Sequence, residues 1–264
     1  MGQTLNTNYI SYILSTQLAN GMIKPQLHFQ RYEVKYYISE SLCSELIGMI
    51  NSHMTLDQHL KQKGKESYLV RSLYLDTKDL KFYFEKLAGI RDREKFRIRA
   101  YDEDRSNIFL EIKKKYNKVV LKDRVCIDYN ELPAILDRFS SYQLNGKKSD
   151  EEKDTIIRFI SFIKVVQIQP TILIAYDRQA YTSIFDSDVR LTLDRNLRCL
   201  PGRSVDLFYS GKNWISVDKP CILELKFNNA MPFFFKSIIK RFNLRAQGIS
   251  KYCLCIERSK QLLL

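Results

Sequence analysis

KFRIRAYDEDRSNIFLEIKKKYNKVVLKDR, residues 95 to 124, places its charges on alternate positions, the period of a β-strand rather than a helix. Read as three neighbouring strands, it puts Arg97 and Arg99 on one face, then Glu111, Lys113 and Lys115, then Lys122 and Arg124. The opposite faces are Phe96, Ile98 and Ala100, then Ile108, Leu110 and Ile112, then Val119, Leu121, Val125 and Ile127, which are ordinary core faces. A wet sheet face carries mixed charge, whereas here nearly every outward position is Arg or Lys. One strand of that kind is a solvated face; three in succession point to a surface built for an anion.

Working outward, the same alternation starts in FQRYEVKYYI, where Arg31, Glu33, Lys35 and Tyr37 oppose Tyr32, Val34, Tyr36 and Ile38. Ser39 is placed to cap a helix carrying Leu42, Leu46, Met49 and Ile50, which fades into a polar loop around Lys61 to Glu66. YLVRSLYLDT reads as a strand, with Asp76 or Thr77 capping a short helix that Gly89 closes. Beyond Ile127 the chain turns helical: NELPAILDRF, an exposed loop near Leu144 to Lys148 containing Gly146, and SDEEKDTIIRFISFIKV, where Ser149 and Glu152 form a capping box.

Strands then return. AYDRQAY puts Tyr176 and Arg178 on one face, and VRLTLD sets Arg190, Thr192 and Asp194 against Val189, Leu191 and Leu193. A hairpin-like segment from Leu200 to Asp218 leads into CILELKF, where Glu224 and Lys226 oppose Cys221, Leu223, Leu225 and Phe227. A helix from about Pro232 to Phe242 follows, and GISKYCLCIE closes the chain in a short apolar segment entered through Ser250 and Lys251. Residues 1 to 27 read as a polar arm, and 28 to 264 as a single domain with no repeat or dividing linker. The fold class is α+β with a large antiparallel sheet; nothing shows the glycine-rich turns of a doubly wound parallel one.

Composition bounds the partners. The chain has 264 residues, 45% hydrophobic and 12% aromatic, enough for a full core. Its 43 basic and 30 acidic residues give a net charge of +13, which calls for an anion: nucleic acid, an acidic membrane surface or a phosphorylated molecule. The six cysteines include no CxxC pair and there are only three histidines, so a His/Cys metal site is not expected, and the thiols read as buried residues of a reducing cytosol. The run from Ile156 to Ile168, interrupted by Arg158 and Lys164, is too short to span a bilayer. A soluble, cytoplasmic protein is expected.

The alternate-position charges gather Arg31, Lys35, Arg97, Arg99, Lys113, Lys115, Lys122, Arg124, Arg178, Arg190 and Lys226, with Glu33, Glu111, Asp194 and Glu224 among them. On an open sheet they would form a basic patch suited to nucleic acid. In a closed barrel with helices outside they would line a lumen. Crowding so many cations into a narrow space is unfavourable unless a polyanion and a few carboxylates supply counter-charge, and a triphosphate or phosphate chain meets that need.

RYEVKYY, SLYLDT, FRIRAY, FLEIKKK followed by LKDR, AYDRQAY, VRLTLD, LELK and GISKY, in that order over residues 31 to 252, resemble the VTC polyphosphate polymerase domain of the triphosphate tunnel, or CYTH-like, superfamily. The resemblance implies an eight-stranded antiparallel tunnel flanked by helices, with ATP as substrate, Mn²⁺ or Mg²⁺ as cofactor, and transfer of the γ-phosphoryl group to a growing inorganic polyphosphate chain. It implies phosphate binding by Lys35, Arg97, Arg99, Lys113, Lys122, Arg178 and Lys251, with Lys115, Arg124, Arg190 and Lys226 as further members. Glu224 is the implied principal metal ligand, Glu33 and Glu111 its helpers, and Tyr176 and Ser250 hydrogen-bond donors to phosphate.

Where hydrolytic and cyclase members open with ExExK, this chain has Arg31, giving RxExK, which trades a metal ligand for a cation and favours the polymerase branch. Neither an SPX-type domain nor membrane helices are evident, so coupling synthesis to transport is expected to need a membrane-protein partner. Nucleic acid is not expected as a partner. A tunnel hydrolase, and a non-catalytic binder of polyphosphate or nucleic acid, are the alternative readings.

Overall fold

The computed structural model describes residues 31–116, 119–139, 142, 148–202 and 206–261. The expected N-terminal arm, the Gly146 loop and the side chain of Arg31 lie outside the described residues. The chain runs β1 (Arg31–Ile38), α1 (Glu40–Ile50), β2 (Met54–Leu56), α2 (Gln58–Lys63), β3 (Tyr68–Asp76), α3 (Lys81–Leu87), β4 (Arg93–Tyr101), β5 (Ile108–Tyr116) and β6 (Val119–Ile127). It continues through α4 (Leu132–Leu136), α5 (Asp150–Ser161), β7 (Gln169–Ser183), β8 (Arg190–Pro201), β9 (Ile215–Ser216), β10 (Cys221–Asn228), α6 (Phe233–Arg241) and α7 (Lys251–Gln261).

Eight long strands form one antiparallel sheet in the order β1-β10-β8-β7-β3-β4-β5-β6, with β2 added beside β7 and β9 beside β8. The sheet curls until its ends face each other: Lys113 Nζ on β5 lies 3.6 Å from Glu33 Oε2 on β1. Among the described residues, side chains rather than a hydrogen-bonded ladder join the two edges.

The outward faces form two cores. Phe96, Ile98, Leu110, Ile112 and Val125 pack under Ile156 and Phe159 of α5, whose start is fixed by the expected capping box, Ser149 Oγ accepting from Glu152 N at 3.2 Å. Tyr36, Leu191, Leu193, Leu223 and Leu225 pack under Cys43, Leu46 and Ile50 of α1 and Phe235 and Ile238 of α6. Leu121, placed in the core by its alternation, is instead 54% exposed.

Two further elements depart from the sequence reading, and the start of α3 follows it. The polar stretch after α1 contains β2 and α2, whose start Asp57 caps by accepting from Leu60 N at 2.9 Å while Leu60 itself is buried. Leu80, in the left-handed region, precedes α3, while Asp76 reaches from the end of β3 to accept from Phe82 N and Tyr83 N, both at 3.0 Å. The closing segment is the helix α7. It packs Tyr252, Cys253, Cys255 and Ile256 against Val70, Tyr74, Ile172, Ile174, Leu197, Cys199 and Ile222. Tyr74, Ile174 and Ile222 alternate with the core-facing Leu73, Leu173 and Leu223. The concave face is therefore charged over one part and apolar over the other, and α7 covers the apolar part. No helix among the described residues is long and apolar enough to cross a membrane.

Candidate functional site

The charged part of the concave face has two sectors. In the first, β4, β5 and β6 lie side by side in a register that pairs Arg97 with Glu111 and Glu111 with Arg124. Glu111 is 1% exposed and receives Arg97 Nε at 2.5 Å, Lys122 Nζ at 2.5 Å, Arg124 Nε at 3.5 Å and Arg99 Nε at 3.8 Å. Burial alone would raise the pKa of this carboxyl, but Arg97, Arg99 and Lys122 outweigh it and hold it far below the usual range. Arg99 is steadied by Ser72 Oγ at 3.1 Å, and Arg124 lies over the Phe109 ring at 3.6 Å.

The second sector is built by β1, β10, β8 and β7, with the first residue of α7. Register pairs Lys35 with Glu224 and Glu224 with Thr192. Lys35 Nζ lies 2.7 Å from Glu33 Oε1 and 3.5 Å from Glu224 Oε2, and Lys226 caps the other Glu224 oxygen. Arg178 grips Asp194 with two bonds of 2.7 and 2.8 Å, and Lys251 Nζ reaches the same carboxylate at 2.6 Å. Burial works against the ionised form of each carboxylate, and Glu224 adds repulsion at Glu33 and Asp194. The lysines and Arg178 prevail, holding Glu33 and Asp194 at about 2 and Glu224 well below its ordinary value.

Lys113 connects the sectors through Glu33, and Arg99 Nη2 does so through Tyr176 Oη at 3.5 Å. Tyr176 is buried, with Lys251 Nζ 4.7 Å and the Arg178 guanidinium 5.3 Å from its ring centroid. Lys35, Arg97, Arg99, Lys113, Lys122, Arg178 and Lys251 are thus brought together, along with Arg124, Lys226, Tyr176, Glu33, Glu111 and Glu224. Lys115 lies one alternation further along β5, paired in register with Arg93.

Two expected members stand apart. Arg190 is exposed at the start of β8 and donates to Ser187 O of the preceding turn at 3.2 Å. Ser250 accepts from Cys253 N at 3.4 Å, a capping bond at the start of α7. It lines an outer depression of about 340 Å³ with Tyr37, Lys86 and Glu257.

The residues that sequence reasoning passed over are Lys95 and Tyr74. Lys95 Nζ sits 5.6 Å from the Tyr74 ring and 5.5 Å from that of Tyr252, while Tyr74 Oη accepts from Arg97 Nη1 at 3.1 Å. Burial would raise the Tyr74 phenol, yet Arg97, Lys95 and Arg99 pull it down to about 7. Lys95 shares the alternation of Arg97 and Arg99, and that was its signal; Tyr74 had none beyond its place in SLYLDT.

A divalent cation suits the second sector and not the first. Glu111 is a single carboxylate enclosed by four cations, with no second oxygen donor beside it in these contacts. Glu33 and Glu224 share Lys35 between them, and beside Glu224 the Thr192 hydroxyl is buried with no hydrogen-bond partner. Two carboxylates and an orphaned hydroxyl are oxygen donors of the kind Mg²⁺ and Mn²⁺ take, with phosphate and water completing the shell.

The family model described as VTC domain matches residues 30–260. Vacuolar transporter chaperone complex subunit 4 of Schizosaccharomyces pombe is 26% identical over 219 residues, which cover 73% of this chain and 29% of that protein. This chain therefore spans less than a third of that relative. Among solved structures, a putative adenylate cyclase from Bacillus halodurans aligns over 84% of this chain and 95% of its own at 16% identity and a TM-score of 0.45. A putative adenylyl cyclase from Hippeastrum, described as having a dominant triphosphatase activity, aligns over 84% and 93% at 13% identity and a TM-score of 0.44.

Proposed function

This chain belongs to the VTC domain family, and from that premise we propose that it lengthens inorganic polyphosphate by taking the γ-phosphoryl group of ATP inside the curled sheet, with Mn²⁺ or Mg²⁺ bound there. One observation carries the reading. Among the described residues, Lys35, Lys95, Arg97, Arg99, Lys113, Lys122, Arg124, Arg178, Lys226 and Lys251 line the charged part of the concave face, where the carboxylates they contact are Glu33, Glu111, Asp194 and Glu224. Ten positive against four negative groups leave six positive charges in a confined space, which a chain of phosphates neutralises and a neutral or cationic substrate does not.

The residues divide the work. Arg97, Arg99 and Arg178 offer forked donors that hold equatorial phosphate oxygens, and the lysines act as point charges along the chain. Glu224 and Glu33 would hold the cation, whose chemistry there would be to offset the charge that builds during transfer. Little acid or base chemistry is needed, because the end of a polyphosphate chain is already an anionic nucleophile and phosphoryl transfer is governed by alignment and charge neutralisation. The step breaks the bond between the β–γ bridging oxygen and the γ-phosphorus of ATP. It forms a new oxygen-to-phosphorus bond at the chain end and leaves ADP.

The matched relative is named as a subunit of a complex, and association with a membrane-protein partner is part of the proposal. Six free thiols suit a reducing, ATP-containing compartment, so a cytoplasmic location is included. Purified protein given ATP with Mn²⁺ or Mg²⁺ tests the reading: acid-labile phosphate chains accompanied by ADP are expected. Orthophosphate or pyrophosphate alone would assign the site to hydrolysis, and ligand binding without turnover would make it a binding module.

A further inference from the structure

Outside the lumen, the fold brings three metal-binding side chains to one point. Glu40 is the first residue of α1, Cys43 lies almost one turn further along it, and Cys221 opens β10. Their donor atoms, two Sγ and a carboxylate oxygen, all lie within 4.8 Å of one another. Spacing in the sequence conceals this group. The fold assembles it because Ile38 pairs with Cys221 at the end of the β1–β10 ladder, and Ser39 turns the chain directly into α1, accepting from Leu42 N at 3.4 Å. Both thiols are buried and free, while the Glu40 side chain is 67% exposed, so the cluster opens to solvent on one side.

We propose that Cys43, Cys221 and Glu40 bind one thiophilic divalent cation of the zinc class, a site separate from the lumen and independent of the function assigned to it. Two thiolates and a carboxylate fill three tetrahedral positions, and water fills the fourth from the Glu40 side. The charges close. Three negative donors on a doubly positive ion leave one negative charge, and Arg195, whose Nε donates to Glu40 Oε1 at 2.6 Å, supplies the positive one. Arg195 also donates from Nη1 to Gln179 Oε1 at 3.1 Å, which holds it in place when Glu40 turns to the ion. Each thiol gives up its proton to solvent as its bond to the ion forms. No other trio of His, Cys, Asp or Glu donors among the described residues lies so close, the lumen carboxylates included. The bound ion ties the start of α1 to the strand that bears Glu224 three residues later.

Titration of reduced, metal-free protein with Co²⁺ tests the site. One equivalent is expected to produce a thiolate-to-cobalt charge-transfer band and the visible spectrum of a tetrahedral ion, both abolished by Zn²⁺. Cys199→Ser, at a buried thiol whose Sγ contacts Cys255 O at 3.7 Å on another strand, should leave the spectrum unchanged. Cys43→Ser and Cys221→Ser should each weaken the charge-transfer band, and the double variant should lose it. Replacing a buried thiol can also unfold the chain, so the exposed Glu40→Gln provides a second arm, with binding weakened about 10- to 100-fold in a folded protein. A wild type without the charge-transfer band, or Glu40→Gln binding as tightly as wild type, overturns the proposal.

Discussion

Glu111 and Glu224 share one concave face but are built on opposite rules. Glu111 is a single carboxylate beneath Arg97, Arg99, Lys122 and Arg124, so that sector keeps three unbalanced positive charges. Glu224 stands with Glu33 and Asp194 among Lys35, Lys113, Lys226, Arg178 and Lys251, which leaves two. On the proposed function, the first arrangement takes phosphate directly. The second, closer to balance and holding an orphaned Thr192 hydroxyl, would on the same proposal take the metal.

The largest expected effect follows from deleting each carboxylate. Glu111→Gln strands the nearly buried Arg99 without counter-charge, and a loss of about 3–5 kcal/mol in chemical denaturation is expected. Glu224→Gln frees Lys35 and Lys226, 23% and 24% exposed, which can turn to water. It should cost less stability while abolishing metal-dependent turnover and weakening Mn²⁺ binding. Equal destabilisation by the two variants would break the contrast.

Next in size is the geometry of the phosphate clamp. Arg97→Lys keeps the charge but loses the fork that joins Glu111 and Tyr74. Turnover is expected to fall on the order of 10²-fold, with a much smaller change in denaturation midpoint. Unchanged turnover would remove Arg97 from the clamp.

A third expectation concerns acid. Asp194 ionises at about 2 rather than at its ordinary 3.8, so its stabilisation is complete above the ordinary value and lost as pH falls through about 2. The contribution is on the order of 2 kcal/mol. In Asp194→Asn that acid-dependent component should vanish from a denaturation series between pH 5 and pH 2, roughly the window of such shifts.

The smallest effect is spectroscopic. With its phenol lowered from 10.0 to about 7, Tyr74 should yield a tyrosinate absorbance step near neutrality that Tyr74→Phe lacks. The lowered value stabilises the fold above the ordinary phenol pKa, and that contribution is lost as pH falls through about 7. Bound triphosphate, by neutralising Arg97 and Lys95, should move the step upward.

Most of the sheet was legible in the sequence because alternation reports which residues share a face. Arg97 and Arg99, Lys122 and Arg124, and Glu224 and Lys226 all point where their spacing placed them. Which strands become neighbours was not legible, and this determined the rest. Asp194, read as one of four carboxylates among the alternate-position cations, became the anchor of Arg178 and Lys251 only once β7 and β8 paired and α7 arrived beside them.

The inward direction of α7 also escaped the pattern. Its apolar residues carry no sign that they cover the concave face rather than an outer one, and Ser250 accordingly caps a helix. Tyr74 looked like an ordinary strand aromatic because its character comes from Lys95, Arg97 and Arg99 on the neighbouring strand. Cys43 and Cys221 looked unrelated because 178 positions separate them, yet the β1–β10 ladder brings them together.

The central claim is that one concave face receives a phosphate chain over Arg97 and Arg178 while a divalent cation sits at Glu224. A crystal grown with a non-hydrolysable triphosphate and Mn²⁺, with anomalous scattering collected at the manganese edge, measures this directly. The account predicts one manganese peak between Glu224, Glu33 and a phosphate oxygen, with the triphosphate extending toward Arg97. A peak at Glu111, or a triphosphate bound on the outer surface, would contradict it.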